Sequence, residues 1–264
     1  MASVAAPATN RPPEAARRWL STARVKVFAD GPDLSQIEKI VEQPHIRGVT
    51  TNPTLLRKAN VVDYEAFARQ LLSVIHDRPV SFEVIADEFD QMERQALKIA
   101  GWADNVYVKI PVCNTRGESS AELVHRLSHS GVKVNTTALL TLDQVREMAE
   151  ALRGGAPAFV SVFAGRVADT GVDPVPMMAT AVDILRDQPN TELIWASPRE
   201  LLNLFQADAC GCHVITMTAD LLAKLSLVGK DLTAYSAETV GMLYNDAVQA
   251  GYELQTPAAS SRTP

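Results

Sequence analysis

Short runs rich in β-branched residues recur at 24–30, 47–51, 80–86, 105–111, 133–138, 158–163, 192–196 and 213–217, each followed by a stretch of helical spacing. Strand side chains repeat every two residues and helix side chains every 3.6, so a sequence that keeps switching period alternates strand with helix. That alternation calls for parallel strands joined by crossover helices. The spacing predicts those helices at 34–42, 64–77, 89–103, 119–130, 142–153, 175–187 and 200–209, with two more at 221–227 and 236–250. Gly131 and Gly211 fall where helix C-caps would, and Asp63 and Asp143 where helices would start. Eight such units in about 230 residues fit an α/β fold with a single (β/α)8 barrel and an extra C-terminal helix. A doubly wound open sheet would carry a glycine-rich phosphate loop after its first strand, and Asp30-Gly31-Pro32-Asp33 is not one.

Composition narrows the partners. The chain has 264 residues, 47% hydrophobic and 21% charged, which is ordinary for a globular protein. A net charge of −6 points away from nucleic acid, whose binders carry basic surfaces. No run approaches the ~18 apolar residues of a membrane span. Three cysteines in a long chain fit a reducing compartment, so a cytoplasmic location is expected. Cys210 and Cys212 flank Gly211 beside His213, but no second ligand pair accompanies them, and no metal is expected. Residues 1–23 and 255–264 are expected as disordered tails around a barrel at 24–254.

In a barrel of this kind, chemistry sits at the C-terminal ends of the strands. Asp30 ends the first run, Thr50-Thr51-Asn52-Pro53 follows the second, and Glu83 lies in the third. The fourth carries Lys109 in the otherwise apolar Val106-Tyr107-Val108-Lys109-Ile110. The fifth offers Asn135 and Thr137, the sixth Ser161, Phe163 and Arg166, and the seventh Ser197 and Arg199. Each has a plain alternative: Asp30 as a cap, Asn52 as a turn residue, Glu83 as the partner of a buried lysine. Lys109 itself could snorkel out to a carboxylate. Burial penalises an ammonium, however, and favours the neutral amine that attacks a ketone to form a Schiff base. Lys26 and Lys133 share the inward parity but lie early in their strands, toward the opposite end of the barrel. Lys109 lies late in its strand, at the reactive rim.

The stretches Phe28-Ala29-Asp30-Gly31, Gly48-Val49-Thr50-Thr51-Asn52-Pro53, Val108-Lys109-Ile110-Pro111 and Val134-Asn135-Thr136-Thr137 carry a family resemblance. So do Ser161-Val162-Phe163-Ala164-Gly165-Arg166, Gly171-Val172-Asp173-Pro174 and Ala196-Ser197-Pro198-Arg199. Their order and spread make the chain resemble the transaldolase family, which includes the small fructose 6-phosphate aldolases. The resemblance implies a class I Schiff-base enzyme of sugar-phosphate metabolism and the pentose phosphate pathway, with no metal and no organic cofactor. It casts Lys109 as nucleophile, Asp30 as the proton acceptor for C3–C4 cleavage, and Glu83 with Thr137 as the water-handling pair. Asn52 and Asn135 would bind hydroxyls of the retained unit, Ser161 and Phe163 would line the site, and Arg166, Ser197 and Arg199 would hold phosphate. It also implies a homo-oligomer, because the 231–247 region resembles a helix that packs on a neighbouring barrel in the small members. Val162 departs from the pattern, since many relatives have proline there.

Three functions compete. A transferase would move dihydroxyacetone between sugar phosphates, in primary metabolism or in a specialised pathway with an unusual acceptor. Glu83 and Phe163 favour it, since the direct aldolases tend to carry glutamine and tyrosine there. A lyase would split fructose 6-phosphate without an acceptor. A non-catalytic barrel has no need of Asp30, Glu83 and Lys109 together.

Overall fold

The protein, described here by a computed structural model, is defined over residues 12–31 and 42–255. Eight parallel strands close in sequence order: β1 (Lys26–Asp30), β2 (Ile46–Thr50), β3 (Val80–Glu83), β4 (Val106–Pro111), β5 (Val134–Leu139), β6 (Ala158–Val162), β7 (Thr191–Trp195) and β8 (Val214–Met217). β8 pairs back onto β1, so the sheet has no free edge. This is the expected (β/α)8 barrel.

The outer layer runs α1 (Glu14–Thr22), α2 (Pro53–Lys58), α3 (Tyr64–Leu72), α4 (Phe89–Ala100), α5 (Ala121–His129), α6 (Leu142–Leu152), α7 (Ala164–Asp169) and α8 (Pro174–Leu185). It continues with α9 (Leu202–Ala209), α10 (Ala219–Ala223), a 3₁₀ turn (Lys224–Leu227) and α11 (Leu232–Gln249). The helix expected at 34–42 lies, but for Glu42, outside the described residues. Asp63 caps α3 by accepting from Ala66 N at 2.9 Å, whereas α6 is capped by Thr141 in a capping box with Gln144, and Asp143 sits in its first turn. Gly131 and Gly211 take φ of +92° and +79° just past α5 and α9, the left-handed turn that glycine makes without a Cβ penalty.

The disordered tail expected over residues 1–23 does not extend over Glu14–Thr22. Glu14–Thr22 is helical because Trp19 docks on Phe205 of α9, ring centroids 4.5 Å apart, and Asp208 of α9 accepts from Arg24 N and Val25 N. Residues 1–11 and 256–264 lie outside the described residues.

Outward strand residues such as Val27, Val49, Phe82, Val108, Val134, Val160, Trp195 and Ile215 are buried beneath the helices. Each buried aliphatic or aromatic side chain of this kind stabilises the fold by about 1.5–3 kcal/mol. Inward residues divide by height. The N-terminal half is plugged by Phe28, Phe159, Ile194 and Val214, with Tyr107 against Phe159 at 4.4 Å between centroids. Gly48 permits that plug: a Cβ there would stand 2.5 Å from the Phe28 ring. Above the plug the interior turns polar.

Candidate active site

The polar layer is set by strand register. Glu83 pairs with Lys109 across β3 and β4, and Lys109 with Asn135 across β4 and β5, so the three stand on one rung. Asp30 pairs with Thr50 across β1 and β2. Strand alternation then turns Asp30, Thr50, Ser81, Glu83, Lys109, Asn135, Thr137, Ser161 and Thr216 toward the barrel axis. They surround the floor of a cavity of about 450 Å³ at the C-terminal mouth.

Every residue expected at the site lines this cavity except Asn135, which is fully buried beneath it. Asn135 Nδ2 donates to Ser81 Oγ at 3.0 Å, and Ser161 Oγ donates to Asn135 Oδ1 at 2.7 Å. It therefore fixes Ser161 from below. Thr137 lines the cavity, and its Oγ1 is buried without a hydrogen-bond partner within the protein.

Lys109 does not snorkel: its side chain is 7% exposed. Its Nζ donates to Thr51 O at 2.8 Å and stands 3.7 Å from Glu83 Oε2. The ion pair is real, yet it lies inside the mouth with a second carboxylate close by. Burial pushes the Asp30 carboxyl up, against the opposing pull of Lys109 and hydrogen bonds from Thr50 and Asn52. Burial also raises Glu83, Lys109 opposes that rise, and the Asp30 charge adds to it. Thr50 Oγ1 donates to Asp30 Oδ1 at 2.7 Å and Asn52 Nδ2 to Asp30 Oδ2 at 3.3 Å, fixing the orientation of that carboxyl. Two carboxyls raised by burial and facing a buried amine are placed to accept and return protons.

The rival lysines lie elsewhere. Lys26 is bonded to Glu192 at 2.5 Å beside a separate cavity at the N-terminal end of the barrel. Lys133 Nζ donates to Asp104 O at 2.6 Å. Strand polarity accounts for both.

The rim is cationic. Gly165 packs so closely on the turn after β7 that a Cβ would overlap Ser197 O, which brings α7 against that turn. Arg166 is exposed, its guanidinium 5.5 Å from the Phe163 ring centroid. Arg199 Nε donates to Asp169 Oδ1 at 2.9 Å, and its Nη2 bonds the other carboxylate oxygen. Ser197 and Ala138 adopt φ of +60° and +65°, left-handed values that side-chain-bearing residues seldom take and that cluster at functional sites.

The structure also brings in residues that motif reading passed over. Thr216 and Thr218 of the eighth unit line the cavity, and Thr216 Oγ1 is 2.5 Å from Thr50 Oγ1. Counting alternate residues along 214–218 was enough to find them. Cys212 is buried, and burial pushes its thiol up to about 12, so it behaves as a small apolar side chain. Among the described residues no group of three or more His, Cys, Asp or Glu side chains could hold a metal. No helix among them is long and apolar enough to cross a membrane.

A closed (β/α)8 barrel with a lysine and two carboxyls at its C-terminal mouth defines a class of enzyme scaffold rather than one activity. Comparison with known proteins is more specific. Residues 27–258 match the family described as "Transaldolase/Fructose-6-phosphate aldolase", and the chain belongs to that family. A protein of Dehalococcoides mccartyi described as "Probable transaldolase" is 33% identical over 202 residues, covering 76% of this chain and 90% of its own length. A "Probable transaldolase 2" of Listeria monocytogenes is 36% identical over 202 residues, covering 76% and 88%. A solved thiamine phosphate pyrophosphorylase from Pyrococcus furiosus superposes with a TM-score of 0.51 at 12% identity, covering 77% of this chain and 93% of that one, which is a likeness of fold alone.

Proposed function

We propose that the protein is a transaldolase that carries a dihydroxyacetone unit from a ketose phosphate to an aldose phosphate on Lys109. The observation that carries this reading is the buried Lys109 amine, 3.7 Å from Glu83 and sharing its cavity with Asp30. Sedoheptulose 7-phosphate and fructose 6-phosphate are donors of suitable chemistry.

Lys109 passes its proton to the paired Glu83 carboxylate, and the freed amine attacks the donor's C2 carbonyl, giving a carbinolamine. The Glu83 carboxyl gives a proton to the departing hydroxyl, assisted through water by the Thr137 hydroxyl, and the iminium forms as water leaves. The Asp30 carboxylate takes the proton of the C4 hydroxyl. The C3–C4 bond breaks, its electron pair moves to the iminium as an enamine, and an aldehyde departs. The enamine then attacks an acceptor aldehyde, Asp30 returns its proton to the new hydroxyl, and hydrolysis frees Lys109. Asn52 and Ser161 hold the retained hydroxyls, while Asn135, expected to bind them too, instead fixes Ser161 from beneath the cavity. Phe163 walls the pocket, and Ser197 with the two arginines takes the phosphate.

Arg166, whose guanidinium is exposed at the rim, is the better-placed phosphate ligand, because Arg199 is bonded to Asp169. Arg166→Ala is expected to raise KM for phosphorylated sugars about 10–100-fold, the loss of one charge-assisted contact, with kcat within about threefold. An unchanged KM in steady-state assays would remove Arg166 from the phosphate role.

A lyase acting on fructose 6-phosphate without an acceptor is the second reading, favoured by the family's own scope. Turnover of fructose 6-phosphate with and without erythrose 4-phosphate separates the two. The transferase reading expects release of glyceraldehyde 3-phosphate to depend on the acceptor; full turnover without it would establish the lyase.

The apolar residues that α11 exposes, among them Val240, Met242, Leu243, Tyr244 and Val248, support a homo-oligomer. Sedimentation of the full chain tests that, and a monomer at micromolar concentration would refute it.

A further inference from the structure

In a parallel sheet the rungs are evenly spaced, each strand alternately giving and accepting along its neighbour. β2 and β3 begin that way: Val49 N donates to Pro79 O at 2.9 Å and Thr51 N to Ser81 O at 3.1 Å. The next rung would bring Glu83 N to Thr51 O. Glu83 N donates instead to Tyr64 Oη at 2.8 Å, and that hydroxyl donates onward to Glu83 O at 3.1 Å. A single hydroxyl thus satisfies both backbone groups that Glu83 turns toward β2. The Thr51 carbonyl, left out of the ladder, accepts from Lys109 Nζ at 2.8 Å. Paired residues accordingly stop at Thr50 and Ser81 between β2 and β3, while β3 and β4 stay paired as far as Glu83 and Lys109.

We propose that Tyr64 is a positioning residue: its hydroxyl stands between β2 and β3, takes the Glu83 backbone, and so frees the Thr51 carbonyl to hold the Lys109 amine beside Glu83. The inference rests on the reading of Lys109 as the nucleophile. Tyr64 is suited to this. It opens α3 directly after its Asp63 cap, and its ring lies edge-on to Phe82 and Trp102, with centroids 6.3 and 6.1 Å away. Its place at the start of α3 and its contact with Phe82 aim the hydroxyl, with Trp102 only flanking the ring. Burial pushes the phenol up to about 12, so it stays neutral across working pH and can donate and accept at once.

Phenylalanine at this position keeps the ring and removes the hydroxyl. Glu83 N and O then lack their partner, and Thr51 O is the acceptor one rung along. Closing that rung takes the carbonyl from Lys109 and leaves the amine without its fixed donor geometry. A displacement of about 1 Å in a reacting group can cost about 10²-fold in rate.

The test compares Tyr64→Phe with Trp102→Phe, which loosens the same aromatic packing but leaves the hydroxyl in place. Time-resolved borohydride trapping with fructose 6-phosphate, normalised to folded protein, gives the rate of adduct formation on Lys109. For Tyr64→Phe, that rate and kcat are both expected to fall about 10–100-fold with KM within about threefold. Trp102→Phe is expected to retain both rates. Trapping of Tyr64→Phe at the wild-type rate, or an equal loss in Trp102→Phe, overturns the positioning role alone. Wild-type protein that forms no Lys109 adduct overturns the nucleophile reading, and this inference with it.

Discussion

Replacing Lys109 with methionine is expected to lower kcat by at least about 10⁴-fold, the scale seen when a covalent nucleophile is removed. The loss has a chemical cause, because no second lysine among the described residues lines the cavity. Lys26 and Lys133 are bonded at the other end of the barrel, to Glu192 and to the Asp104 carbonyl. Methionine fills a similar volume without a charge, but it leaves the buried Glu83 carboxyl without its partner, which costs stability unless that carboxyl takes up a proton. The far-ultraviolet circular dichroism spectrum should therefore stay that of the folded barrel, with a lowered melting temperature, while turnover disappears. Retained turnover would rule out the covalent mechanism drawn here.

Asp30→Asn is expected to lower kcat about 10²–10⁴-fold, the usual contribution of a general base. Asp30 acts after the Schiff base has formed, so borohydride trapping on Lys109 should persist in this variant. That split, chemistry lost and adduct kept, separates its role from that of Lys109. The same substitution should stabilise the protein at alkaline pH. Burial raises the Asp30 pKa, so the folded state holds this proton more tightly than the unfolded chain does. The associated stability is fully present below the ordinary carboxylate range and is lost as pH rises through the raised value. A neutral asparagine removes that loss. The melting temperature at pH 8 should therefore rise relative to wild type, with no such gain in the acid range where the carboxyl keeps its proton in both states. A fall at pH 8 would show that attraction to Lys109 outweighs the burial penalty.

Much of this site was legible because barrel strands obey a period of two. The strand-end reading put Asp30, Glu83, Asn135 and Ser161 at the same rim as Lys109, and the register sets Glu83, Lys109 and Asn135 on one rung. The aromatic plug of Phe28 and Phe159 follows from the same parity but carries no motif to draw notice. What was hidden depends on contacts distant in sequence. The α1 helix exists because Trp19 finds Phe205, and the short α2 and α7 sit in segments read as strand-end loops. Arg199 is paired with Asp169, 30 residues away, which no local spacing announces. Tyr64 is the clearest case. As the first residue of a helix it reads as packing, and only the missing rung between β2 and β3 shows what its hydroxyl does.

The central claim is that Lys109 forms the covalent intermediate, and reductive trapping tests it most directly. The protein is incubated with fructose 6-phosphate and sodium borohydride, digested with trypsin and mapped by mass spectrometry. The account predicts one stable adduct on Lys109, with tryptic cleavage after that residue blocked. An adduct on Lys26, Lys133 or any other lysine in its place, or no adduct at all, would contradict it.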